Sequence, residues 1–203
     1  MIVKQTQRLA WAITGSGHYL RESLAILQTF QDENLGLVDI FLSKAAAEII
    51  KQYGFQAQLD ATGHKVYQDK TASSVPVELF YASKYHTLVI APATSNTIAK
   101  MAYGFSDSLV SNLYAQAGKT RVPSIVFACD TAPELTSEAP RDNLVQVFPR
   151  QIDLDNVQKL AGFEHTQIAE NIDMLQQAIF ARFAAIAPLL NPSPASGRGA
   201  YKR

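Results

Sequence analysis

Ala91-Pro92-Ala93-Thr94-Ser95-Asn96-Thr97-Ile98-Ala99-Lys100 follows directly on the apolar run Thr87-Leu88-Val89-Ile90. Leu88–Ala91 reads as a short buried strand that ends in a cluster of hydroxyls around one amide. A helical pattern of Ile98, Met101 and Ala102 begins at once. In an open α/β sheet, ligands bind at the carboxyl ends of strands, and unpaired N–H groups at a helix N-terminus attract anions. The stretch therefore suits a phosphate or the polar edge of a cofactor.

Working outward, strands and helices alternate. Gln7–Ile13 reads as a first strand, broken by Thr14-Gly15-Ser16-Gly17-His18, and Leu20, Leu24 and Leu27 then carry a core-facing helical stripe. Leu37–Leu42 is a second strand ending in Ser43-Lys44. The helix after it, about Ala45–Tyr53, presents Ala46, Ile49, Ile50 and Tyr53 and stops at Gly54. Residues 55–80 are the least readable, with a short strand expected at His64–Tyr67 and a helical turn or two in Val77–Tyr85. Helical segments run from the signature stretch to Ala117 with a break near Gly104, and Pro123–Ala128 and Leu144–Phe148 read as further strands. A last helix, Ile168–Ala185, places Ile168, Ile172, Leu175 and Ile179 on one face. Continuous apolar strands separated by helices predict an α/β fold with a mostly parallel sheet of about six strands, covered on both faces. The domain is expected over residues 1–190, with 191–203, rich in Pro, Ser, Gly and Arg, as a flexible tail.

With 203 residues, 47% apolar and 18% charged, the chain is long enough for one full α/β domain. Lys and Arg number 18, Asp and Glu 18, so net charge gives no reason to expect nucleic acid or an anionic membrane as partner. No apolar run is long enough to span a bilayer and no secretory leader is apparent, so a cytoplasmic location is expected. The single cysteine, Cys129, excludes an internal disulfide and a four-cysteine iron–sulfur cluster held by this chain alone. His64, His86 and His165 share no metal-ligand spacing, and no metal site is expected.

Gly15-Ser16-Gly17-His18-Tyr19-Leu20 begins like a dinucleotide fingerprint but has Leu20 where the third glycine belongs. The second strand ends in Ser43-Lys44 and not in an acidic residue for a ribose, which argues against a nicotinamide dinucleotide as the tightly held cofactor. Ser43 alone reads more readily as a helix N-cap. Taken together, Thr14/Ser16, Ser43 and Thr94/Ser95/Thr97 put hydroxyls at three strand ends that share one rim of a parallel sheet. Asn96 either caps a helix or bonds a flat heterocycle. Lys100, Asp107 and Asn112 read as surface or capping groups, and Cys129 as a small buried residue ending a strand at the same rim. Neither a Gly-x-Ser-x-Gly elbow nor a P-loop is present.

Ala91–Lys100, followed by Gly104 and Asp107-Ser108-Leu109, resembles the signature segment of the homo-oligomeric flavin-containing flavoproteins. That family includes phosphopantothenoylcysteine and peptidyl-cysteine decarboxylases, flavin prenyltransferases and archaeal-type flavoproteins. The likeness extends from about Gln7 to Phe183, because Thr14–Gly17 and Ser43-Lys44 fall where the family has its flavin-phosphate loops. It implies a Rossmann-like three-layer sandwich, bound FMN, and assembly from trimers whose interfaces complete the flavin site. On this resemblance Thr14, Gly15, Ser16, Gly17, Ser43, Lys44, Thr94, Ser95 and Thr97 serve the phosphate and ribityl chain. Ala91, Pro92, Ala93, Asn96, Ala128 and Cys129 surround the ring.

The departures discriminate within the family. Where the decarboxylases have a catalytic histidine, this chain has Pro76 in Pro76-Val77-Glu78-Leu79. Where they carry a Pro-Ala-Met-Asn-like clamp, it reads Ala128-Cys129-Asp130-Thr131-Ala132-Pro133-Glu134. The sequence is most similar to the archaeal-type members, which include dihydromethanopterin reductases. The implied activity is FMN-dependent reduction of a pterin, with Asp130 and His18 as the candidates for protonating or orienting the substrate. The implied electron donor is diffusible, a reduced flavin or a nicotinamide nucleotide. The alternatives are a flavin-dependent cysteine decarboxylase or prenyltransferase, and a flavin-binding electron carrier without its own substrate.

Overall fold

Four apolar runs form the middle of the sheet: β1 (Arg8–Ile13), β2 (Leu37–Leu42), β4 (Thr87–Ala93) and β5 (Ser124–Ala128). Two short strands, β3 (Lys65–Gln68) and β8 (Thr166–Ala169), form its edges. The order is β3-β2-β1-β4-β5-β8 and every pairing is parallel. This computed structural model describes residues 8–33, 35–69, 75–140 and 143–190, apart from the side chains of 75–77 and 187–190. Gln7, the side chain of Pro76 and the expected tail at 191–203 lie outside the described residues.

The period-2 alternation of the strands sorts their side chains into two cores. Leu9, Trp11 and Ile13 of β1 face α1 (Leu20–Asp32), α2 (Lys44–Gln52) and α8 (Ile172–Leu190). Ala10 and Ala12 face α5 (Ser95–Ala102), α6 (Leu109–Lys119) and α7 (Gln151–Ala161). Burial on both faces is why these strands read as unbroken apolar runs. The result is the three-layer Rossmann-like sandwich expected. The chain leaves β1 toward β2 on one side and runs from β4 to β5 on the other. The loops after β1 and β4 therefore diverge, with α1 and α5 on opposite faces, and a crevice opens at the carboxyl ends of these two strands.

Asp39, completely buried in β2, anchors the other rim. Its carboxylate pairs with Arg8 of β1, with Lys84 at 2.9 Å, and accepts the Tyr85 hydroxyl at 2.6 Å. Burial alone would raise this carboxyl. The hydrogen bonds from Tyr85 and Lys84, with the Arg8 charge, outweigh it and hold the group below its ordinary range.

Several elements differ from the sequence expectation. Leu144–Phe148 does not join the main sheet: β7 (Asn143–Val147) pairs antiparallel with β6 (Leu135–Ala139) in a separate hairpin. Its Leu144 is 70% exposed. Ile168 belongs to β8 and not to the last helix, which starts at Ile172. Strand β4 continues through Ala93, with a register irregularity against β5 between Ile90 and Ala93 and a cis Ala91–Pro92 peptide. Two further helices, α3 (Gln56–Ala61) and α7, were not anticipated, and α4 spans Val75–Tyr81.

Candidate functional site

The turn after β1 is locked to the turn after β4. The Thr14 hydroxyl donates to the Pro92 carbonyl at 2.8 Å and accepts the Thr94 amide at 2.9 Å. Trp11, one turn of pleat earlier, donates its indole N–H to the Ala91 carbonyl at 2.8 Å. Gly15 and Gly17 let the first turn press onto α2. A Cβ at Gly15 would stand 2.4 Å from Ala45 Cβ, and one at Gly17 would stand 2.3 Å from the Tyr53 ring. These contacts explain the small residues of the Gly-Ser-Gly turn.

Beside these turns lies a cleft of about 510 Å³, lined by residues that include Ser43, Lys44, Thr94, Asn96, Thr97 and Lys100. Helices α2 and α5 both begin on it. Ser43 caps α2 by accepting the Ala46 amide at 3.0 Å, and Thr94 caps α5 by accepting the Thr97 amide at 3.3 Å. The caps use the third amide of each helix and leave the earlier ones for a ligand. Asn96 is exposed, and Thr97 bonds the Thr94 hydroxyl at 3.1 Å. One wall is closed by the Lys100–Asp107 ion pair at 2.9 Å. Asp69 completes the lining and accepts the Leu109 amide at 3.1 Å at the start of α6. Two helix N-termini, four hydroxyls (Ser43, Thr94, Thr97 and Ser108) and the Asn96 amide on one cleft make a binding surface for an anion that carries a polar chain.

A second group of residues lies where β5 ends. The Ser95 hydroxyl donates to the Asp130 carboxylate, so α5 holds this acid in place. Cys129 is buried, and desolvation pushes its thiol up to about 12; the Asp130 charge adds to this, and the Ser16 hydroxyl only partly offsets it. The thiol is therefore no nucleophile. His18 stacks on Tyr19 with ring centroids 3.7 Å apart. Burial lowers its pKa, and the charges of Glu22 and Asp130 oppose that shift.

The sequence-predicted residues therefore separate by role. Ser43, Lys44, Thr94, Asn96, Thr97 and Gly15 line the cleft together. Thr14 and Ser16 spend their hydroxyls on the protein, the latter on the His18 carbonyl at 3.2 Å, and Ser95 on Asp130. The side chains of Ala91, Ala93 and Ala128 are fully buried in the two core layers. Pro92 is buried as well and serves through its carbonyl. Sequence reasoning missed Asp69, which lies in the least legible segment. It read Lys100 as a surface charge and Asp107 as a cap, whereas they form an ion pair across a seven-residue separation that spans a turn.

Among the described residues no group of three or more His, Cys, Asp or Glu can hold a metal ion, and no helix is long and apolar enough to cross a membrane.

Comparison with known proteins agrees with this architecture. The solved Burkholderia xenovorans protein DmrB, in complex with FMN and described as a cubic protein cage for redox transfer, superposes with a TM-score of 0.81. It shares 44% identity, covering 91% of this chain and 99% of that one. A dihydromethanopterin reductase (acceptor) of Methanosarcina mazei is 38% identical over 142 residues, 66% of this chain. The match spans 59% of that relative's length. A dodecameric FMN-dependent UbiX-like decarboxylase from Escherichia coli O157:H7, at 15% identity and a TM-score of 0.60, covers 95% of this chain and 100% of that one and shares the fold alone. The Flavoprotein family model matches residues 3–190, and on that match, with this sheet and this cleft, the chain belongs to the Flavoprotein family.

Proposed function

We propose that this protein is an FMN-dependent reductase that passes electrons from a diffusible donor to a pterin, dihydromethanopterin being the first choice. The observation that carries this reading is the single cleft onto which α2 and α5 both open their N-termini, in a chain 44% identical to a protein solved with FMN. The site residues fit the cofactor. The uncapped first-turn amides of α2 and α5 suit its phosphate, the Ser43 and Thr97 hydroxyls and Asn96 suit the ribityl chain and ring edge, and about 510 Å³ is an ordinary volume for a cofactor site. Bound FMN supplies a relay between a two-electron donor and an acceptor.

The chain's own residues do the rest. Thr14 and Trp11 fix the loop that carries Thr94–Thr97. Ser95 orients Asp130, and Asp130 and His18 stand as the groups that orient the pterin and exchange protons with it. Residues 1–190 act as the flavin domain. The assembly is a homo-oligomer built from trimers, in which a neighbouring copy closes the open side of the cleft, and the location is cytoplasmic. The donor is a reduced flavin or a nicotinamide nucleotide.

Decarboxylation has less support, because Pro76 replaces the histidine and Ala128–Glu134 lacks the clamp. A pure electron carrier would exchange electrons with flavins without accelerating pterin reduction. The purified protein is expected to be yellow and to release FMN on denaturation. Asn96→Ala and Ser43→Ala should each lower flavin affinity about tenfold, as loss of one bond to a charged or strongly polar group does. Flavin-free protein, or carbon dioxide release from a phosphopantothenoylcysteine-like substrate, would contradict the reading.

A further inference from the structure

A cavity of about 650 Å³ opens at the amino ends of the strands. His86, Pro123 and His165 line it, and each directly precedes a strand: β4, β5 and β8 respectively. Strand β4 has seven residues, so this rim lies about 20 Å from the rim that carries the flavin cleft. The cavity is therefore separate from that cleft, and its ligand does not depend on the reductase reading.

Two guanidinium groups, Arg121 and Arg182, line the cavity, and no described carboxylate does. Arg182 donates Nε–H to the Thr87 hydroxyl at 3.2 Å and an Nη–H to the His86 carbonyl at 3.3 Å. Burial lowers its pKa, and no carboxylate offsets the shift. Among the described residues the Arg121 side chain has no hydrogen-bonding or ion-pair partner. Helices α4 and α6 both end at this cavity, and helix C-termini disfavour anions. Here their last carbonyls are occupied: Lys84 N–H donates to the Leu79 carbonyl at 3.1 Å and Val122 N–H to the Ala117 carbonyl at 2.8 Å. The two guanidinium charges then set the sign of the cavity.

His86 adds a donor of its own. The residue is 5% exposed, and its Nε2 is a buried polar atom without a hydrogen-bond partner. The Thr87 hydroxyl accepts from Arg182 and lies 2.9 Å from His86 Nδ1, so its own hydrogen goes to Nδ1. Nε2 then carries a hydrogen that no acceptor in the protein takes. Buried N–H donors are nearly always paired, and one that shares a cavity with two guanidiniums calls for an oxyanion.

We propose that this cavity binds the phosphate group of a small molecule through Arg121, Arg182 and the His86 Nε2–H. A guanidinium fork matches a pair of phosphate oxygens, and about 650 Å³ leaves room for more than a bare ion. The Tyr81 ring, 62% exposed on the same cavity, offers a face to a planar group, which favours a nucleotide over inorganic phosphate. Such a ligand is out of reach of the flavin of its own chain.

The test uses the full-length flavin-loaded protein, so that the helix ends of the flavin cleft are already occupied. Inorganic phosphate, pyrophosphate and AMP are titrated calorimetrically into the parent protein and into Arg121→Gln. Histidine Cε1–H exchange followed by mass spectrometry reads His86 with and without each compound. His64, which bonds the Leu27 carbonyl elsewhere, is the control. One AMP per chain is expected, held about tenfold more tightly than inorganic phosphate, as stacking of a base on an aromatic ring implies. Arg121→Gln should weaken every phosphate compound about tenfold or more, as loss of a charged hydrogen bond does, with flavin content unchanged. Each bound compound should move the His86 titration to higher pH and leave His64 in place. Arg182→Gln also breaks two bonds at the start of β4, so Arg121→Gln is the deciding variant. AMP held no more tightly than phosphate keeps the phosphate site and removes the nucleotide. No binding by any of the three, equal affinity in Arg121→Gln, or an unmoved His86 titration overturns the proposal. A parent protein that holds no flavin contradicts the flavin reading alone, because His86 reports on this rim directly.

Discussion

The Thr14 hydroxyl and the Pro92 carbonyl, 2.8 Å apart, join the ends of the two central strands between which the crevice opens. The same hydroxyl accepts the Thr94 amide, so one side chain satisfies a carbonyl and an amide of the signature loop. Placement of Thr94, Asn96 and Thr97 on the cleft thus depends on a residue that does not itself line it.

Thr14→Val keeps the shape and removes both side-chain bonds; the Pro92 carbonyl still accepts the Thr14 amide at 3.2 Å, but the part-buried Thr94 amide is left unpaired. The expected cost is about 2 kcal/mol, read from urea unfolding, with weaker flavin retention. Thr14→Ser should stay close to the parent in both measurements.

Gly15→Ala and Gly17→Ala should differ although both added methyl groups collide. The first meets Ala45 Cβ at 2.4 Å, an atom fixed to the backbone of α2. The second meets the far end of the Tyr53 ring, whose hydroxyl donates to the Glu138 carbonyl at a long 3.5 Å. Overpacking against the fixed neighbour should cost about 1–3 kcal/mol, and against the swinging ring clearly less. Equal unfolding midpoints for the two variants would contradict this account.

His86 predicts part of the acid sensitivity. Burial, with the Arg182 charge, lowers its pKa to about 4, against about 6.5 in the unfolded chain. Above the unfolded value neither state binds the proton and the contribution to stability is complete. As pH falls from about 6.5 to about 4, only the unfolded chain takes up the proton and stability drops. Urea midpoints across this range should fall less steeply for His86→Gln than for the parent protein.

Cys129 should be inert in the folded protein. With the thiol pushed up to about 12 by burial, Ellman's reagent at mildly alkaline pH should label the native chain far more slowly than the urea-unfolded one. Equal rates would contradict the packing at the end of β5.

The central strands were legible because burial on both faces writes itself as an unbroken apolar run, as in Leu9–Ile13 and Ile125–Ala128. The edges were not. Ile168 falls at helical spacing with Ile172, Leu175 and Ile179, and a four-residue edge strand has too little pattern of its own to compete. Leu144–Val147 is apolar enough for a sheet strand, yet its side chains are mostly exposed on a hairpin that the local sequence cannot distinguish from a buried strand. At the site, hydroxyls at strand ends were visible as residue types. Which of them cap helices, which fasten loops and which face the cleft depends on contacts between segments far apart in sequence, as in Thr14 with Pro92 and Ser95 with Asp130.

The central claim is that this chain holds FMN and uses it to reduce a dihydropterin. The most direct test reduces the bound flavin anaerobically, mixes it with dihydromethanopterin in a stopped-flow instrument, and follows flavin absorbance together with formation of the tetrahydropterin. The account predicts rapid flavin reoxidation with one tetrahydropterin formed per flavin. A flavin that stays reduced in the presence of the pterin, or reoxidises without forming tetrahydropterin, would contradict it.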